Sequence, residues 1–105
     1  MTDIPANVPE KGFYYHYKHE PTGELNNYAY EVIGVGLHTE VRDYAVIYRP
    51  LYKNGFLEPA DYCMRPYDMF IGEVVKDGVS VPRFTKISDP KALAELEAIR
   101  GRMYP

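Results

Sequence analysis

The chain has 105 residues, a formal net charge of −3, 46% hydrophobic and 26% charged residues. That length holds one ordinary domain, and the composition excludes a disordered or fibrous chain. No apolar run approaches the roughly 18 residues of a bilayer span, the start MTDIPANVPEKG lacks signal-peptide features, and the lone Cys63 excludes a disulfide framework. A cytoplasmic domain with no membrane partner is therefore expected. The charge is not concentrated. Residues 1–11 carry one basic and two acidic side chains, residues 12–87 eight and ten, and residues 88–105 three of each. With no basic segment, binding of duplex nucleic acid by counterion release is disfavoured.

Residues 1–11, with Pro5 and Pro9, read as a flexible lead-in. A first strand is expected over Gly12–Lys18 (GFYYHYK), rich in β-favouring aromatics, then a loop over His19–Asn27. Tyr28–Leu37 reads as a second strand, with Gly34 and Gly36 marking a bulge or tight bend. Asp43–Tyr52 is a third, with Pro50 near its end. In these two strands Tyr28, Tyr30 and Val32 should oppose Ile33, Val35 and Leu37, and Tyr44, Val46 and Tyr48 should oppose Ala45 and Ile47. A turn is expected at Asn54-Gly55, a short strand over Asp61–Arg65 and a turn at Pro66–Asp68. Met69–Lys76 and Val79–Thr85, joined by Asp77-Gly78, form a hairpin signal.

The period then changes. Ser88 or Asp89 can cap a helix, Pro90 suits its first turn, and Leu93, Leu96, Ile99 and Met103 give an apolar stripe up to a stop near Gly101. So short a helix must dock on the strands or on a partner, including a second copy. Five to six short strands without βαβ spacing predict an all-β fold: a small antiparallel barrel over 12–87, with a C-terminal helix in 88–105.

An ordered set of motifs supports a resemblance. Gly12-x-Tyr14-x-His16-Tyr17-Lys18, Tyr30-Glu31-Val32 with Gly34, His38-Thr39-Glu40, Tyr48-Arg49-x-Leu51-Tyr52, Arg65-Pro66 with Met69-Phe70, and Val81-Pro82-Arg83-Phe84 follow one another. In this set the chain resembles the bacterial family catalogued as domain of unknown function 1653. The resemblance implies an SH3-like small barrel and no assigned activity. The loop His19–Asn27 is longer than the family's usual turn.

Three candidate sites stand out. Alternation places Tyr14, His16 and Lys18 on one face of the first strand and Phe13, Tyr15 and Tyr17 on the other, giving either a polar binding face or half-exposed packing. His38 and Glu40 follow the second strand, where they form a binding or acid–base pair or a plain turn. His16 with His38 and Glu40 would make a two-His-one-carboxylate set, but no metal-ligand spacing such as HExxH occurs and no metal or cofactor is expected. Arg49, Arg65 and Arg83 either converge on an anion or pair with Glu31, Glu73 and Asp68. No base lies near Cys63, and no phosphate loop or catalytic signature occurs.

The favoured function is a binding module for a peptide, a protein partner or a small anionic ligand, with a site drawn from Tyr14, His16, His38, Glu40, Arg49, Tyr52 and Arg65. The alternatives are a binder of single-stranded nucleic acid or a nucleotide, which eleven Tyr would serve as stacking platforms, and a small hydrolase using His16 or His38 with Glu40.

Overall fold

A computed structural model of the chain describes residues 8–53 and 62–105. The expected Asn54-Gly55 turn and most of the lead-in lie outside the described residues. Among the described residues seven strands and two helices follow in order: β1 (Gly12–His16), β2 (Ala29–His38), β3 (Asp43–Pro50), β4 (Cys63–Pro66), α1 (Tyr67–Ile71), β5 (Glu73–Lys76), β6 (Val79–Pro82), β7 (Phe84–Lys86) and α2 (Pro90–Met103). The fold is mainly β and every pairing is antiparallel. Five strands form one curled sheet in the order β4-β3-β2-β1-β7, a half-barrel, and β5-β6 form a separate hairpin.

The sheet is buried on both faces because its strands carry apolar residues at successive positions. One face gathers Tyr14, Tyr30, Val32, Val46, Tyr48, Phe70 and Phe84 into a core dominated by rings. The other gathers Phe13, Ala29, Leu51 and Ile87 under Ala92 and Leu96 of α2. The stripe expected on the helix is thus spent on its own sheet, with Leu93 and Ile99 packed at the margin.

Several local expectations change. The β2–β3 register shifts between Val32 and Gly34, so Val35 packs on the same core as Val32 instead of opposite it. One extra residue at the bulge inverts the alternation beyond it. The first strand ends at His16, two residues early, and Tyr17 turns its ring beside His16 (4.4 Å between centroids) instead of joining Phe13. The expected Pro66–Asp68 turn opens α1, and Met69–Ile71 are helical instead of extended. A single turn has little intrinsic stability. Burial of Phe70, stacked on Phe84 at 4.1 Å, holds it.

The Asp77-Gly78 loop is as expected: both residues have positive φ (52° and 80°), as a type I′ turn requires. The following segment splits at Arg83. Its N–H donates to Gly72 O at 3.0 Å and its carbonyl accepts from Tyr17 N–H at 2.8 Å, passing the chain from the hairpin to the edge of the main sheet. Helix α2 starts at Asp89, whose carboxylate accepts from Ala92 N–H at 3.0 Å, and runs through Gly101 to Met103. Its end is fixed by Tyr104, whose N–H donates to Arg100 O and whose hydroxyl donates to Pro50 O at 2.6 Å. Among the described residues no helix is long and apolar enough to cross a membrane.

Candidate functional site

The end of β1 and the loop behind it build the site. After His16 the chain turns, and Asn27 closes the long loop by accepting from Glu20 N–H (2.8 Å) and donating to Glu20 O (2.9 Å) and Glu24 O. His19 stacks on Tyr15 at 3.6 Å, pinning the loop to the strand. The chain re-enters the sheet through Tyr28, whose φ of 53° lies in the left-handed region that bulky side chains avoid. That conformation sets the Tyr28 ring against His16 (5.7 Å) and Tyr52 (5.6 Å).

His16 is the centre of the group and only 9% exposed. Phe84 and Tyr30 meet its ring at 5.1 and 6.4 Å. Its Nδ1 accepts from Lys18 N–H at 3.2 Å, which assigns the neutral-ring proton to Nε2. Burial, then the positive charges of Arg65, Lys18 and Arg83, lower its pKa to about 4. Near neutral pH the ring is therefore neutral and can donate through Nε2.

Cations surround this ring. Arg65 Nε donates to the Tyr48 hydroxyl at 3.3 Å, and its guanidinium lies 5.5 Å from the Phe84 ring centre. Lys76 Nζ donates to Tyr17 O at 2.9 Å. Arg83 Nε is buried and has no hydrogen-bond partner among the described residues. Beside them the Tyr30 and Tyr52 hydroxyls share a 2.5 Å hydrogen bond, and burial pushes the Tyr30 phenol far above its ordinary pKa. Burial also raises the Cys63 thiol, an effect Arg65 partly offsets, so Cys63 is a poor nucleophile.

The structure thus brings His16, Tyr52 and Arg65 to one face. Tyr14 stands behind them in the same core, edge-on to Phe70 at 5.7 Å, with its hydroxyl turned away to donate to Glu10 O. Arg49 lies on the opposite face. It pairs with Glu31 at 2.9 Å and stacks on Tyr104 at 3.9 Å, an ion pair that helps dock α2. His38 and Glu40 sit at the exposed tip of the β2–β3 hairpin. His16 N–H donates to Tyr28 O, and His38 lies ten residues further along the strand. At about 3.3 Å per residue the two histidines are roughly 30 Å apart, so neither the metal set nor a His16–Glu40 acid–base pair forms. Among the described residues no cluster of three or more His, Cys, Asp or Glu could hold a metal ion.

Tyr28, Tyr30, Tyr48 and Phe84 are part of the group and were not among the expected site residues. Tyr30, Tyr48 and Phe84 stand in the motifs that carry the family resemblance, and the sequence signal for Tyr28 is the tyrosine excess alone. Chemically, the arrangement offers cations, neutral donors and ring faces, with no carboxylate among the charges acting on His16. It suits oxyanion binding better than proton transfer, because His16 is too weak a base to activate a nucleophile efficiently.

A family model described as "Protein of unknown function (DUF1653)" matches residues 12–86. No curated protein matches the chain. A crystal structure of a protein belonging to DUF1653, from Bordetella bronchiseptica, is similar at 22% identity, with a TM-score of 0.59, over 77% of this chain and 92% of that one. At that identity the likeness speaks for the fold.

Proposed function

The chain belongs to the DUF1653 family of proteins of unknown function, and from its geometry we propose that it is a non-enzymatic module that binds a small oxyanion at His16, Arg65 and Arg83. The observation that carries this proposal is the buried Arg83 Nε without a partner, beside a neutral histidine whose charged neighbours are all cations. A buried guanidinium N–H without an acceptor is disfavoured, and an incoming oxyanion supplies that acceptor. Neutral His16 adds a donor at Nε2, and Lys18 adds charge at the rim.

Titration of the full chain with inorganic phosphate and with sulfate, followed by calorimetry, tests the proposal. Charge-assisted hydrogen bonds contribute about 1.5–3 kcal/mol, so Arg83→Met should weaken binding by roughly 10- to 100-fold. Arg49→Met, on the other face, should leave affinity unchanged. Absence of binding by the unmodified chain, or equal losses in the two variants, would sink it.

A further inference from the structure

We propose that the bound anion is one end of a ligand whose other end is a planar ring: a small-molecule phosphate monoester carried on an aromatic or heteroaromatic group. This rests on the oxyanion proposal above and adds the part of the ligand that the Tyr28–Tyr52 panel recognises.

Three observations lead there. Tyr28 adopts a left-handed backbone that an aromatic residue avoids, and asparagine or glycine would occupy that position with less strain. Such strain persists where the surrounding structure imposes it, and here it sets the half-buried ring at the margin of the cationic group, beside His16 and half-buried Tyr52. Rings in that position offer a stacking surface next to the anion anchor.

The second observation is the charge count. Lys18, Arg65 and Arg83 all act on His16, which fits a dianionic phosphoryl group better than a single carboxylate. The Tyr30 phenol, held in its neutral form by burial, does not oppose such a charge. The third is the charge of the whole chain. At −3, with no basic segment, the chain has no run of cations along its sequence for a polynucleotide backbone to follow, which favours a small-molecule ligand.

Calorimetric titration of the full chain with four probes tests this: inorganic phosphate, ribose 5-phosphate, adenosine 5′-monophosphate and phenyl phosphate. The better of the two ring-bearing probes should bind at least about tenfold more tightly than ribose 5-phosphate. Preference for adenosine monophosphate points to a nucleotide and preference for phenyl phosphate to an aryl phosphate; either supports the proposal. Tyr28→Asn keeps a residue that tolerates the left-handed backbone and removes the ring. It should erase the ring-dependent gain, so that the ring-bearing probes bind no more tightly than ribose 5-phosphate. Tyr52→Leu provides the same comparison should Tyr28→Asn fail to fold.

The proposal is overturned if ring-bearing and ringless phosphates bind alike, or if losing the Tyr28 ring weakens all probes equally. In those cases phosphate still binds and the oxyanion proposal stands. If no probe binds, including inorganic phosphate, both fall.

Discussion

Packing against Tyr28, Tyr30 and Phe84, together with three positive neighbours, keeps His16 neutral down to about pH 4, against an ordinary value of 6.5. The unfolded chain binds a proton at this histidine between those two values and the folded chain does not. Unfolding therefore takes up protons, and stability is full above about pH 6.5 and declines as pH falls toward 4. Chemical denaturation across pH 4–7 should show this slope, and His16→Gln should flatten it. In a nitrogen-detected titration His16 should be neutral, protonated at Nε2, from pH 7 to about pH 5 and take up its second proton only near pH 4; a midpoint near 6.5 would refute the assignment. At this scale the sequence identified residue types better than sides. Tyr48 and Arg49 are consecutive on β3 and must oppose one another, which sends Arg49 to the helix side, away from the Arg65 that contacts Tyr48.

Helix α2 was legible as an element because capping, a proline in the first turn and a 3.6-residue period are all local signals. Its two kinds of support are separable. Removing the cap with Asp89→Ala should cost about 1 kcal/mol. Leu96→Ala, which opens a cavity between α2 and the sheet at a fully buried side chain, should cost about 2–5 kcal/mol. Thermal denaturation of the two variants distinguishes them, and equal shifts would contradict this account of the docking. Helix α1 was not legible, since five residues after Pro66 show no local period and are helical only because Phe70 finds Phe84 across the sheet. The bulge after Val32 was legible as a glycine signal, but its consequence, that Val35 rejoins the face of Val32, depends on the pairing with β3.

Two cores lie back to back on one five-stranded sheet, so neither can dissolve without exposing the strands that carry the other. Unfolding should therefore be one cooperative transition. Tyrosine fluorescence, weighted to the ring-rich face, and far-ultraviolet circular dichroism, weighted to α2, should give coincident curves. Leu96→Ala should move both together, whereas separate midpoints would mean that α2 and the ring-rich face unfold independently. The placement of the candidate site follows from the same arrangement. Its side chains come from β1, the loop ahead of β2, the segment after β3, β4 and the β6–β7 junction, which the strand order β4-β3-β2-β1-β7 brings to one side.

Local chemistry along the chain determined a mainly β domain, its antiparallel hairpins, the capped C-terminal helix and the excess of tyrosine, because period, turn residues and caps act over a few positions. Only the tertiary structure decided which tyrosines share a face, that Arg83 Nε is buried without a hydrogen-bond partner among the described residues, that Arg49 faces α2, and that His38 and Glu40 stand far from His16. Those outcomes depend on strand order, on where β1 stops and on a one-residue bulge. Each of these is set by contacts between segments tens of residues apart, which the period of a single strand does not encode.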